Sequence, residues 1–471
     1  MLPAFREEFL HLEPFMLTDA YRHLAILVFV SLSLAATDSG SFADDAKANA
    51  NEPTDYELMR LFVDTFQQVE SNYVREVDRR KLLEAAIDGM LGHLDQYSTY
   101  IPPQEVRRFN QAIEQEFGGI GITVNMRNGR LLVVSPLPDT PAYRAGIRAG
   151  DIIVEVEGKK TDGITLNGAV RKLQGPVGRP VTVKVIHPGE SSDPREITMT
   201  RQLIKAPTVR GDRYGKDGEW LYTLENEPDL GYVRLSHFSR FTVEEVKAAI
   251  DGLVESKARG VILDLRRNPG GLLESAVEIA DMFLSRGNIV SVRGRNVPER
   301  SWDAKASGTY PDFPIAVLVS RYSASASEVL SACLQDNKRA VIIGERTWGK
   351  GSVQNVIQME HGDSALKLTT ASYHRPSGVN IHRFPEMNES DNWGVTPNDG
   401  YLLKYSSKEW QAWDRDRQRR DVLLRDNEKG TEGDQSTEVG FEDRQLNAAI
   451  DYLKSKLDQP KNDASSKDES G

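Results

Sequence analysis

Cysteine is almost missing from this chain. Cys333 is the single one in 471 residues. That excludes an internal disulfide framework. Its setting, "LSACLQD", reads as a helix packed by small residues and predicts a buried core thiol. A basic excess is missing too: 59 Lys and Arg stand against 70 Asp and Glu, a net charge of −11. General electrostatic attraction to nucleic acid is therefore excluded. The eight histidines do not group with acids; His237, His361, His374 and His382 are scattered through the second half. The apolar run "LAILVFVSLSLAA", residues 24–36, falls short of the roughly 20 residues a membrane helix needs. It suits the core of a signal peptide, and "SFA" at 41–43 offers a small-x-small cleavage site. The alternative is an uncleaved anchor, with membrane association through 24–36. The first fifteen residues carry acids, so Met16 is a candidate start. Either way the body of the chain is expected to be exported, to a periplasm or cell envelope.

What is present is patterned. A polar linker precedes two helical stretches, 55–70 and 81–94, the first with Leu58, Leu61, Phe62, Phe66 and Val69 on one face. Their exposed apolar stripes should pack on the rest of the chain or on another copy. From about 106 short β-branched runs alternate with Gly and Pro turns, as in a compact β domain of roughly 100 residues. Beyond 203 the apolar runs "LGYVRLSHF", "GVILDLR", "IAVLVS" and "AVIIGE" alternate with amphipathic helices. That order predicts an α/β layered domain with parallel pairing. A helix is expected at "RQLNAAIDYLKSKL", before a polar tail expected to be disordered.

Three stretches carry chemistry. In "RYSASASEVL", residues 321–330, Ser325 and Ala326 fall where a buried strand gives way to a helix. A turn there lifts a side chain clear of the sheet, and the free N–H groups of the helix start can stabilise negative charge. Ser327 reads as a cap or first-turn residue. In "GERTWGKGSVQ", residues 344–354, Lys350 lies between Gly349 and Gly351. A lysine desolvated there loses proton affinity and can act as a neutral base, with Gln354 placed to hydrogen-bond the amine. "DLRRNPGG", residues 264–271, ends a strand in a turn whose Gly270 or Gly271 N–H, with that of Ala326, can form an oxyanion hole. Taken singly, each reads equally as an ordinary turn.

Together, in this order and with 25 positions from Ser325 to Lys350, these motifs resemble the carboxyl-terminal processing (tail-specific) serine peptidases, peptidase family S41A with a PDZ domain, over residues 55–400. The resemblance implies an α/β core of ClpP/crotonase-like fold with an inserted PDZ domain and an N-terminal helical region. It implies Ser325 as nucleophile, Lys350 as general base, Gln354 as the third member, and Gly271 with Ala326 as the oxyanion hole. "GGIGI", residues 118–122, resembles a PDZ carboxylate loop, which assigns Gly119, Ile120, Gly121 and Ile122 to peptide binding. The implied division is 1–43 signal peptide or anchor, 44–105 helical region, 106–203 PDZ domain, 204–400 peptidase core and 401–471 helical segment and tail. Implied partners are protein substrates with apolar C-terminal tails, an adaptor protein and a second copy docked through the N-terminal helices; no cofactor or metal is implied. Two departures stand out. "LDQYS" (94–98) replaces the common "LDPHS", and "LQGPVG" carries Gln174 where an arginine is frequent, with Arg171 a nearby substitute. The competing reading is a silent PDZ scaffold that binds C-termini without cutting; a further one is a Ser-His-Asp hydrolase.

Overall fold

A computed structural model describes residues 53–422 and 441–458, apart from 115, 188, 190–192, 216–217 and 312. The apolar run at 24–36, the cleavage site and the C-terminal tail lie outside the described residues. The chain divides into two units, Met1–Arg79 and Arg80–Gly471. In the first, helix Asp55–Asn72 opens on a capping box. Thr54 Oγ1 accepts from Glu57 N–H at 3.3 Å, and Glu57 Oε2 accepts from Thr54 N–H at 2.8 Å. Leu58, Leu61 and Phe62 remain exposed.

The second unit holds the catalytic candidates. Its central sheet orders the strands 209–210, 230–235, 260–264, 315–319 and 340–344, the last four parallel. Every residue of those four is buried, which is why they appear as unbroken apolar runs. Alternate side chains feed two cores. Val261, Leu263, Val317 and Ile342 pack with helices Thr242–Glu255, Leu273–Asp281 and Ala326–Asp336. Ile262, Ala316, Leu318 and Ile343 pack with Ala449 and Leu453 of helix Arg444–Leu457. Cys333 is fully buried on the first side, as expected.

A second sheet pairs Thr99–Ile101, Ser364–His374, Asn288–Gly294 and Val297–Asp303 in that order, with Ser352–Met359 also on Ser364–His374. The β domain between is an antiparallel sheet ordered 122–127, 130–136, 152–156, 180–186 and 195–200, so Ile122–Arg127 is an edge beside helix Leu166–Leu173. Two strands, Glu116–Gly119 and Gln202–Lys205, pair as the stalk through which the chain enters and leaves it. Helix Pro103–Glu114 precedes this stalk; no apolar periodicity marked it in the sequence.

Among the ion pairs that fasten the C-terminal helices, one is fully buried on its cation. The fully buried Arg266 forks onto Asp264 (2.7 Å) and Asp443 (2.9 Å) and lies over the Trp413 ring at 5.1 Å. Burial alone lowers its proton affinity, but the two carboxylates override that and hold it well above its ordinary value. Burial likewise raises Asp443, and Arg266 outweighs it, so Asp443 stays below the usual range. A carboxyl depressed on folding contributes stability above its unfolded value, about 3.9, and loses it as pH falls through the folded value. We predict that Arg266→Leu, which strands both carboxylates, costs about 3–5 kcal/mol in urea denaturation. Wild-type stability should fall on acidification below the carboxylate range, and the variant should lack that component.

Candidate active site

The three chemical motifs leave the carboxyl ends of adjacent parallel strands. Arg266–Gly271 follows strand Gly260–Asp264, the serine turn follows Ile315–Val319, and the lysine turn follows Ala340–Gly344. Brought together there, they use their polar groups in distinct ways. Ser323 is buried: its hydroxyl donates to Leu265 O (2.8 Å) and accepts from Ser320 N–H (2.9 Å). Ser327 Oγ donates to Asn268 O at 3.0 Å, a first-turn residue as expected. These two serines clamp the serine turn to the neighbouring loop. Ser325 is the N-cap of helix Ala326–Asp336, with φ 55° and ψ −117°. A non-glycine residue in that region carries strain of order 1–3 kcal/mol. Its hydroxyl makes no side-chain cap hydrogen bond.

Gly270 explains why the facing loop tolerates no side chain. A Cβ there would stand 2.8 Å from Ser325 Cβ and 2.9 Å from Ala326 N. Asn268, fully buried, shapes this loop: its Oδ1 accepts from Gly270 N–H at 2.8 Å and its Nδ2 donates to Leu235 O at 2.9 Å. Phe238 N–H donates to Gly270 O and Leu272 N–H to Phe238 O. Those bonds bracket Gly271, so its own N–H turns away from Phe238. Among the described residues the N–H groups of Gly271 and Ala326 are both without acceptors, as an oxyanion hole requires.

Glu328 is the residue that motif reading passed over. Its carboxylate is fully buried. Oε2 accepts from Ser325 N–H and from Lys350 N–H, both at 2.8 Å. Oε1 accepts from Gly349 N–H (2.7 Å) and Thr347 Oγ1 (2.5 Å). One oxygen thus joins the backbones of serine and lysine. Burial pushes the Glu328 carboxyl up to about 7, against the lowering effect of those four bonds. The signal lay in the sequence: Ser-x-x-Glu at 325–328 is a capping-box spacing.

Lys350 is half-buried. Gly351 beside it admits the backbone of His382, where a Cβ would stand 2.2 Å from His382 N. Burial first, and the charge of Lys367 second, lower the proton affinity of Lys350, with Glu328 pulling the other way. Its Nζ lies 5.1 Å from the centroid of the Tyr97 ring. Gln354 departs from expectation. Its Nε2 donates to Ser352 Oγ (2.8 Å) and Thr369 Oγ1 (3.3 Å), not to the lysine amine. Beside Lys350 a cleft of about 530 Å³ opens, lined by Tyr97, Trp348, Gly349, Arg346, Arg383 and Trp393.

In the β domain, the carbonyls of Ile120 and Gly121 are occupied: Ala142 N–H donates to the first and Leu137 N–H to the second, each at 2.9 Å. Among the described residues the N–H groups of Ile120 and Gly121 have no acceptor. They stand at the head of the open edge Ile122–Arg127, whose partner face is helix Leu166–Leu173, while Gly119 is taken up by the stalk. Arg171 on that helix is exposed. The place near Gln174 is filled instead by Arg201, whose guanidinium donates to Lys172 O (2.9 Å), Leu173 O (3.0 Å) and Pro180 O (2.8 Å).

The sequence matches the description "Peptidase family S41" over residues 229–398, "PDZ domain" over 132–186 and "Activating protease CtpB N-terminal domain" over 24–104. It is 41% identical to the carboxy-terminal-processing protease of Bartonella bacilliformis, over 75% of this chain and 78% of that protein. It is 32% identical to carboxy-terminal processing protease CtpA of Bacillus subtilis, over 76% and 73% respectively. Among solved structures, a photosystem II D1 C-terminal processing protease is 29% identical, covering 75% of this chain and 94% of that one, with a TM-score of 0.41.

The geometry predicts a specific role for Glu328. Glu328→Gln sets an NH2 group against backbone N–H donors on one side of the former carboxylate. We expect roughly a hundredfold loss of kcat, the scale of an ångström's misplacement, with KM little changed and the fold retained by circular dichroism. Wild-type turnover by this variant would show that the carboxylate does not position the site.

Proposed function

Because this chain belongs to peptidase family S41, among the carboxyl-terminal processing serine proteases with a PDZ domain, we propose that it is an exported serine endopeptidase with a Ser325–Lys350 dyad, which takes protein C-terminal tails through its PDZ domain and cleaves the proteins that carry them. The observation that carries this reading is the single Glu328 oxygen shared by the N–H groups of Ser325 and Lys350. It supports a dyad because it fixes the two backbones to a common point inside the protein.

The reaction follows from these groups. Ser325 Oγ attacks the peptide carbonyl carbon while neutral Lys350 Nζ takes its proton. The oxyanion is received by the N–H groups of Gly271 and Ala326. Collapse breaks the C–N bond, and the Lys350 ammonium returns the proton to the leaving amine. Water, giving a proton to Lys350, then attacks the acyl carbon; the C–O bond to Ser325 breaks, and the Lys350 ammonium returns the proton to Ser325 Oγ. Gln354 acts at one remove, ordering Ser352 and Thr369 beside the base. The tail carboxylate is taken by the open N–H groups of Ile120 and Gly121 within the 119–122 loop, and the peptide adds to the edge Ile122–Arg127. Export rests on the apolar run 24–36. Among the described residues no helix is long and apolar enough to cross a membrane. Docking of a second copy through the N-terminal helices is supported by the exposed Leu58, Leu61 and Phe62.

The sign of the pH dependence is fixed by the base. Lys350 works when neutral, so activity rises with pH as it deprotonates. Burial and Lys367 bring that rise below the ordinary lysine value of about 10.4. Ser325→Ala and Lys350→Ala should each lose at least about a thousandfold in turnover of an unfolded protein with an apolar C-terminal tail, while Ser325→Ala still binds the tail peptide. His382→Ala should be mild, although that ring lies 6.3 Å from Tyr97. Severe loss in His382→Ala with activity kept in Lys350→Ala would replace the lysine by a histidine base.

A further inference from the structure

Tyr97 and Lys367 reach the candidate base from elements outside the three catalytic motifs. Tyr97 follows the turn after helix Arg79–Leu94. Asp95 holds that turn by accepting from Tyr97 N–H (2.6 Å), Ser98 N–H (2.7 Å) and Ser98 Oγ (3.0 Å). The Tyr97 hydroxyl accepts from Trp348 Nε1 at 3.3 Å, within the lysine turn itself. Ser98 Oγ accepts from Thr369 N–H at 3.1 Å. The chain then enters the second sheet as Thr99–Ile101, with Thr99 opposite Lys367. Lys367 is opposite Val356 on its other side. Two positions along, on the same sheet face, Thr369 Oγ1 accepts from Gln354. Ring and second cation are thus built into one strand arrangement beside Lys350.

The groups facing the lysine come from every side. Lys367 approaches from strand Ser364–His374, Glu328 from the serine helix, and the Tyr97 ring from the 95–98 turn. Behind that ring lie Asp95, on the same turn, and His382, edge-on. Lysine chemistry needs two opposed properties. The amine must be neutral to accept the Ser325 proton, and the ammonium it becomes must be tolerated while the O–H bond breaks and the C–O bond forms. A nearby positive charge favours the first state, and an aromatic face favours the second.

We propose that Tyr97 and Lys367 are positioning residues that tune the base from opposite sides, the ring accommodating the ammonium that Lys350 becomes and the second lysine disfavouring it. This rests on the reading of Lys350 as the base. "LDQYS", the departure from the common motif, then becomes part of the active site.

The test follows the rate at which a fluorophosphonate labels Ser325 from neutral to strongly alkaline pH. The reagent reports serine activation without a peptide substrate. Lys367→Met should move the rise to higher pH, slowing labelling about three- to tenfold at neutral pH, half to one pH unit, and keep the alkaline plateau. Tyr97→Leu should move the rise to lower pH and cut the plateau about two- to thirtyfold, the range of a cation–π contact. Tyr97→Phe keeps the ring face and should track wild type. Lys367→Met carries the test alone if Tyr97→Leu fails to fold. A rise unmoved by Lys367→Met, or moved the same way by both variants, overturns the proposal, as does Tyr97→Phe behaving like Tyr97→Leu. Lys350→Ala separates the two levels: if it labels like wild type, the base reading itself is wrong; if it is silent, the shifts judge Tyr97 and Lys367.

Discussion

The candidate site depends on one buried carboxylate. Glu328 accepts four hydrogen bonds, from Ser325 N–H, Lys350 N–H, Gly349 N–H and Thr347 Oγ1. A fully buried carboxylate is costly unless its lone pairs are filled, and here they are filled by the backbone that must be placed. The same bonds close the helix start. The donors at the first turn of Ala326–Asp336 are divided between capping, which spends Ser325 N–H, and the proposed oxyanion hole, for which Ala326 N–H stays open.

This division makes sense of the strain at Ser325. With φ at 55°, the residue departs from the preferred backbone while its neighbours do not. Ser323 and Ser327 hold the turn to Leu265 and Asn268 by side-chain bonds. Trp348 N–H donates to Ser323 O at 2.9 Å, adding a backbone tie to the lysine turn. The alternating serines are thus two clamps around one unclamped hydroxyl. Gly270 lets the oxyanion loop approach the clamped turn closely enough to face it.

Much of this was legible in the sequence. The four parallel strands stand out because burial on both faces removes polar alternation, and the amphipathic helices between them fix the layered class. Ser325, Lys350 and Gly271 could be nominated because their motifs, in order and spacing, resemble those of the S41A peptidases; taken singly the motifs left the serine undecided and Gly270 and Gly271 both open. What escaped has physical reasons. Glu328 acts through carboxylate-to-backbone bonds that join positions 325 and 328 to 347–350, and only its local half, the capping box, has a sequence spacing. Arg201 fills the place beside Gln174 from the junction between strands Arg195–Thr200 and Gln202–Lys205, 27 positions further on, a substitution that the exposed Arg171 seemed better placed to make. Gln354 alternates with its neighbours on a strand, and which partner it meets depends on register with Thr369, which includes a shift between Val353 and Gln354. Tyr97 carried no chemical signal until a sheet brought the 95–101 segment against the lysine turn.

With lysine rather than histidine as the proposed base, the site carries a characteristic tension. A neutral lysine requires a dry setting, and drying raises the cost of the carboxylate that organises it. Burial drives Glu328 to about 7, above the unfolded value of about 4.3. The unfolded chain therefore gives up this proton first, and stability falls as pH rises from the glutamate range toward 7. As it charges, the ionised Glu328 gains full acceptor capacity for the N–H groups of Ser325 and Lys350. Charging the hub thus weakens the fold while it tightens its hold on the backbones of Ser325 and Lys350. The two slopes oppose each other because the same low-polarity environment neutralises the amine and strains the carboxylate. Lys367 eases this conflict. A second cation lowers the proton affinity of Lys350 by charge, so less of the required neutrality has to come from burial that would further penalise Glu328.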